Sequence, residues 1–318
     1  MKKILCGSAK HLELAGGIKG LDYLMLNLSN KCNYRCLKCC NSGRASSKQP
    51  LTSKEIFNLL DEVKALGARV LVVAGEGEPL VDNRINKIVA KADKVGLIPY
   101  IFTNGSLLSE KTARFFRKHN ASLVINLDSL DERKYELLSG VNGSFAKVMD
   151  NLERVRDIFS NAYFTIKGFE VSQIAINTVV SRYNVLEAEQ VKEFCGKDFV
   201  LVYNTPMNIG RASSDSSFRV DEELSKKIKA LSAKTIPLGT TSDRNWCAYM
   251  RNGVSVGVDG EILACAYSLE TAGKFGNVRQ GKLSEYVGKA NLTVDKFYKK
   301  KGHSRCILRH EDYSGFCG

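Results

Sequence analysis

The chain has 318 residues, 44% of them hydrophobic and 25% charged, with a formal net charge of +13. These are ordinary values for a soluble globular protein, and the length suffices for one large α/β domain plus a small appendage. No apolar run approaches the roughly eighteen residues of a membrane span, and the stretch after Met1-Lys2-Lys3 is too short for a signal peptide, so a cytoplasmic protein is expected.

In chain order, residues 23–28 read as a first strand, followed by a cysteine-rich loop. Thr52 and Glu55 make a capping box for a helix running to about Gly67. Residues 69–74 are a second strand, a continuous apolar run of the kind found in parallel sheets. A helix over 83–95, a strand over 97–102, a helix over 109–119, a strand over 122–127 and a helix over 144–158 follow. Residues 173–180 are a fifth strand, 185–194 a helix and 199–203 a sixth strand. Strand–helix units in series predict a parallel sheet curved into an open barrel, with working loops at the C-terminal strand ends. Residues 206–245 read as a connector with one short helix, and residues 254–263 as a hairpin turning at Asp259-Gly260.

Ten cysteines in a reducing compartment point to metal binding or catalysis rather than disulfides. Cys32, Cys36 and Cys39 follow the first strand with C-x3-C-x2-C spacing. Three thiolates on one loop can converge on three irons of a cubane and leave the fourth iron open to a small molecule. Structural zinc, the alternative, usually takes four ligands, often in paired C-x2-C turns. After the second strand come Gly75, Glu76, Gly77, Glu78 and Pro79, after the third Thr103 and Asn104, and after the fourth Asn126, Asp128 and Ser129.

The order and position of these motifs resemble the radical S-adenosylmethionine (SAM) superfamily. The resemblance implies a partial (β/α)6 TIM-like barrel with a [4Fe–4S] cluster on Cys32, Cys36 and Cys39. It also implies reductive cleavage of SAM to methionine and a 5′-deoxyadenosyl radical that takes a substrate hydrogen atom. Residues 75–79 resemble the segment that holds the SAM amino group, with Glu76 in place of a glycine. Thr103-Asn104-Gly105 resembles the third-strand turn, and Asn126 to Ser129 the segment approaching the ribose and carboxylate. Ser139 stands where an arginine often precedes a glycine in such proteins.

Cys247 and Cys265 bracket Gly260 as C-x12-G-x4-C, which is similar to the opening of the SPASM domain; Gly210-Arg211-Ala212 resembles the linker before it. With Cys306 and Cys317 they supply four thiolates, enough for one auxiliary [4Fe–4S] cluster of the shortened twitch type; four structural or zinc-binding cysteines are the alternative. The expected division is an N-terminal extension over 1–20, the barrel over 21–212, and a linker with the twitch/SPASM-like domain over 213–318. Cys195 reads as core, and Cys40 as a candidate hydrogen donor.

The resemblance suggests an anaerobic oxidoreductase or epimerase acting on a ribosomal peptide or protein by oxidation, crosslinking or epimerisation. Dehydrogenation or epimerisation of a small sugar-like, aminoglycoside-type metabolite is the alternative, and a non-catalytic iron–sulfur protein or RNA modification stands behind both. Tyr203, Asn204, Asn208 and Arg211, at or after the sixth strand, are candidate substrate-lining residues. The lysines and arginines are spread along the chain without a nucleic-acid module, so the excess positive charge suits docking of an acidic flavodoxin or ferredoxin as electron donor.

Overall fold

The computed structural model describes residues 2–41, 49–207, 209–233, 235–236, 238, 247–265 and 274–301. The first elements are β1 (Lys2–Leu5), α1 (Ala9–Leu14), β2 (Tyr23–Leu26), α2 (Ser53–Ala65), β3 (Val70–Val73), α3 (Ile85–Lys94) and β4 (Ile98–Thr103). They are followed by α4 (Glu110–Lys118), β5 (Ser122–Asn126), α5 (Glu132–Ser139), α6 (Ser144–Phe159), β6 (Tyr163–Ile166), β7 (Phe169–Ser172) and β8 (Ile174–Val179). The rest are α7 (Ala188–Cys195), β9 (Val200–Asn204), α8 (Glu222–Ser232), α9 (Ala248–Arg251), β10 (Gly253–Val256), β11 (Glu261–Leu263), β12 (Lys274–Asn277) and α10 (Leu283–Lys301).

The main sheet has nine strands in the order β12-β11-β10-β2-β3-β4-β5-β8-β9. From β10 to β9 every pairing is parallel; β11 and β12 run antiparallel. Strand periodicity divides the apolar side chains between two layers. Leu24, Leu26, Leu71, Val73, Ile101, Leu123, Ile125 and Ile176 pack in the layer that includes the helices α2, α3, α4 and α6. Tyr23, Met25, Val70, Val72, Tyr100, Val124, Ala175, Val200 and Val202 face the interior, where α1 and α9 contribute Ala9, Leu12, Ala248 and Tyr249. There Tyr249 packs edge-on against Tyr23, with ring centroids 4.9 Å apart. A sheet buried on both faces explains the continuous apolar runs seen in the sequence. The fold is a mixed α/β open barrel, and among the described residues the sheet ends at β9 and β12 without closing.

The capping box of α2 is present: Thr52 Oγ1 accepts from Glu55 N, and Glu55 Oε2 accepts from Thr52 N at 2.7 Å. The hairpin across residues 257–260 forms as expected, and its first strand also extends the parallel sheet beside β2. Three features depart from the sequence reading. Residues 2–5, expected to lie in an extension, form β1, which pairs in parallel with β7 in a second sheet ordered β1-β7-β6. The β6–β7 hairpin, with exposed Tyr163 and Phe164, and the short helix α5 were not anticipated. No helix among the described residues is long and apolar enough to cross a membrane.

Candidate active site

Cys32, Cys36 and Cys39 line one pocket of about 210 Å³ at the C-terminal ends of β2, β3, β4, β5, β8 and β9. Their loop is shaped by its neighbours. Arg35 N donates to Ser139 O (3.0 Å) and Leu37 N to Leu138 O (2.9 Å), which ties the loop to the end of α5. Asn33 Nδ2 donates to Ser106 Oγ (2.7 Å) and Asn33 Oδ1 accepts from Asn104 Nδ2 (3.0 Å), which ties it to the turn after β4. The glycine at 77 serves this loop directly: a Cβ there would lie 2.4 Å from the carbonyl oxygens of both Ser29 and Lys31.

Burial pushes the Cys36 thiol up to about 12, with Asp128, Cys39 and Cys32 adding to the rise and Lys38 opposing it. Cys32 is raised by burial; the Tyr34 amide and the charge of Arg211 pull the other way. Such thiols ionise only beside a strong cation, which cluster irons supply. Among the described residues no three His, Cys, Asp or Glu side chains converge on a single-ion site. Three thiols distributed around one pocket fit instead a multi-iron cluster in which each of three irons takes one thiolate.

Glu78 is only 3% exposed. Its Oε1 accepts from Thr103 Oγ1 (2.7 Å) and Leu80 N (3.1 Å), and its Oε2 from Asn104 N (2.7 Å). Burial nonetheless raises its carboxyl above the usual range, against those hydrogen bonds. Gly75, Gly77, Glu78, Thr103, Asn104 and Asn126 all line the pocket, as expected from their strand-end positions. Glu76 and Pro79 are not among its lining residues; Pro79 is buried at the start of a one-turn helix capped by Glu78.

Asp128 and Ser129 are also set back from the pocket. Asp128 Oδ2 pairs with Lys38 and its Oδ1 accepts from Val179 N at 2.9 Å, while Ser129 Oγ donates to Glu187 Oε2 at 3.1 Å. Their carboxylate and hydroxyl thus fasten this loop to the cysteine loop, to β8 and to the segment before α7. In the position closer to the pocket stand three asparagines on adjacent strand ends. Asn204 Nδ2 donates to Asn177 Oδ1, and Asn177 Nδ2 donates to Asn126 Oδ1 at 2.8 Å. The sequence reading missed Asn177; its polar side chain at the end of an apolar strand, level with Asn126 on β5, was the available signal.

Of the substrate-lining candidates, Asn204 lines the pocket. Tyr203 does not: strand alternation turns it into the helix layer, where its hydroxyl donates to Ala188 O at 2.8 Å. Arg211 is likewise not a lining residue; it donates from Nη1 to Cys36 O at 2.8 Å. Asn208, Cys306 and Cys317 lie outside the described residues. Cys247 caps α9 and packs against the interior cluster, Cys265 is buried just after β11, and Cys40 lines the pocket. Cys195 is core, 2% exposed, with its thiol pushed up to about 12 by burial.

A three-cysteine loop and a buried carboxylate thus meet at the mouth of an open, largely parallel α/β barrel. Residues 26–174 match the family model described as the radical SAM superfamily. Over 138 residues it is 33% identical to a GTP 3′,8-cyclase of Psychromonas ingrahamii, covering 41% of this chain and 39% of that protein. It is 26% identical over 197 residues to an AdoMet-dependent heme synthase of Methanosarcina barkeri, covering 61% of this chain and 52% of that protein. The chain thus spans about half or less of the length of these curated relatives. Among solved structures, Streptococcus suis SuiB bound to precursor peptide SuiA superposes with a TM-score of 0.67 at 14% identity, covering 98% of this chain and 77% of that one. Native anSMEcpe with bound AdoMet and the Cp18Cys peptide gives 0.62 at 17% identity, covering 93% and 92%. At these identities the likeness is one of fold.

Proposed function

We propose that this chain is a radical SAM enzyme that oxidises, crosslinks or epimerises a ribosomal peptide or protein. The observation that carries the first half is the convergence of Cys32, Cys36, Cys39 and buried Glu78 on one pocket at the strand ends. Cys32, Cys36 and Cys39 would hold a [4Fe–4S] cluster, which together with SAM would supply reductive sulfonium cleavage and hydrogen-atom abstraction. The protein's part is to bind, orient and exclude water. Glu78 would offer its carboxylate to the SAM ammonium, and its bonds to the Thr103 and Asn104 turn fix its position. The asparagine row would offer amide groups to ribose or substrate, and Cys40, which lines the same pocket, is the candidate to return a hydrogen atom.

The peptide half of the reading is supported by the fold likeness to proteins solved with peptides bound and by the SPASM-like spacing of Cys247 and Cys265. With Cys306 and Cys317 these cysteines would hold an auxiliary cluster, and the chain's charge of +13 suits an acidic flavodoxin or ferredoxin as donor. A small-molecule substrate is the second reading, favoured by the curated relatives that are named cyclases of GTP.

The test is anaerobic reconstitution of the wild type and a Cys32/Cys36/Cys39→Ala variant. The wild type should cleave SAM to 5′-deoxyadenosine under reduction and the variant should not. Cleavage by neither overturns the enzyme reading. If the variant keeps about half the iron with a cubane spectrum, the auxiliary cluster stands; loss of all iron removes it. Deuterium transfer into 5′-deoxyadenosine from labelled peptides, or from labelled nucleotides and aminoglycosides, separates the two substrate classes.

A further inference from the structure

The turn after β9 is seated on the cysteine loop. Gly210 has φ of +63°, and a Cβ there would lie 2.3 Å from Cys40 O and 2.8 Å from Cys39 O. Arg211 N and Ala212 N both donate to Cys39 O, at 2.9 and 3.2 Å. The Arg211 side chain spans the loop to Cys36 O, at 2.8 Å across 175 positions of sequence. Beneath the turn, Ala212 is fully buried with Leu138 and Phe218, and Leu37 of the cysteine loop packs on the same cluster. The carbonyls of Cys36 and Cys39 are thus held by one distant turn that only glycine can bring this close.

We propose that Gly210-Arg211-Ala212 is the positioning device of the cluster loop, and that the Arg211 guanidinium tunes the cluster held there. The proposal rests on Cys32, Cys36 and Cys39 being cluster ligands. An arginine guanidinium is a fixed positive charge. Hydrogen bonds and net charge around the sulfurs are what set the potential of such clusters. A fixed positive charge on the loop favours the reduced, more negative state and so raises the midpoint. The same turn connects β9 to the C-terminal part of the chain, so a displacement there is felt at Cys36 and Cys39 through hydrogen bonds.

Full-length wild type, G210A, R211Q and R211K proteins, reconstituted without oxygen, provide the test. Three quantities are read: iron and sulfide content, the SAM-induced change in the reduced cluster's EPR spectrum, and the midpoint of that SAM-responsive signal. The responsive signal separates the loop cluster from any other iron. G210A should lose most of it while circular dichroism shows the fold retained. R211Q should give a weaker responsive signal with a more negative midpoint, and R211K should move the midpoint back toward the wild type. Wild-type iron, signal and midpoint in both G210A and R211Q would overturn the proposal. An R211Q protein with reduced iron and an unmoved midpoint would overturn the tuning role and leave the positioning role. A wild type without any SAM-responsive signal would sink the cluster reading itself.

Discussion

Glu78 joins two functions in one side chain. It accepts two backbone amides and a hydroxyl, and it faces the pocket. Replacing it by alanine strands the Leu80 and Asn104 amides, which should cost about 2–4 kcal/mol in unfolding measurements alongside loss of SAM binding. Its titration gives a sharper expectation. Burial raises the carboxyl in the folded protein, so the folded state holds this proton more tightly than the unfolded chain. That stabilisation is fully present below the ordinary glutamate value and is lost as pH rises through the folded value. An ammonium beside Glu78 favours the carboxylate and opposes the loss. Melting temperatures followed from about pH 4 to 8 should therefore fall with pH in the wild type more than in E78Q, and SAM should shrink the difference in the reconstituted protein. Equal slopes in both proteins would show that the carboxyl is not perturbed. Tyr203 gives the opposite expectation to its neighbour Asn204. Y203F loses only the bond to Ala188 O, costing about 0.5–1.5 kcal/mol in unfolding with turnover unchanged, whereas N204A should spare SAM cleavage and weaken substrate turnover. Equal effects of the two on turnover would contradict the opposed orientations.

At the scale of elements, the ends of β5, β8 and β9 work together through the asparagine row. N177L keeps the shape of the side chain but severs both bonds, which should cost about 1–2 kcal/mol of stability. It should also raise the SAM cleaved per product formed, because Asn126 and Asn204 lose their common support. A wild-type ratio of product to 5′-deoxyadenosine in N177L would leave the row a purely structural feature. The repeating units were readable because the strands β2, β3 and β5 are apolar runs buried in the sheet and several helices carry side-chain caps, as α2 does with Thr52 and Glu55 and α4 with Ser109. The sequence concealed what depends on distant partners. β1 exists through pairing with β7, some 167 residues away in register from Lys2 to Phe169, and no local pattern announces it. The strand β6 forms by antiparallel pairing with β7, outside the strand–helix repeat that marked the others, and its Tyr163 and Phe164 are both exposed. The site was legible in its cysteines and in Glu78, where residue type and spacing carry the chemistry. It was not legible at Asp128, whose pairing with Lys38 is a contact between loops, or at Tyr203, one register step from the pocket.

For the molecule as a whole, the question is what joins the C-terminal segment to the barrel. β10 adds to the sheet beside β2, and Leu51 N donates to Val258 O at 2.8 Å. Arg279, just after β12, is a side-chain fastener with several partners. Its guanidinium binds Glu55 at 2.5 Å, Pro50 O and Asp259 O at 3.1 Å, and Gln49 O at 3.2 Å. One cation thus gathers the segment leading into α2, the capping box of α2 and the C-terminal hairpin. The Glu55 carboxyl is held down at about 2, first by Arg279 and then by the Thr52 amide. A depressed carboxyl contributes stability above its ordinary value, and that contribution fades as pH falls toward 2. The site is largely solvated, so the ion pair itself is worth no more than about 1 kcal/mol, and the three carbonyl contacts are the larger loss when the arginine goes. R279M should therefore lower unfolding stability by about 1–3 kcal/mol near neutral pH. It should flatten the acid limb of the wild-type curve and open the segment at Gln49 and Pro50 to limited proteolysis. R279K, which keeps the charge but cannot span four acceptors, should recover the acid limb and not the protease resistance. If R279K restores both, the charge at position 279 suffices for its part of the junction, and the carbonyl contacts contribute nothing measurable.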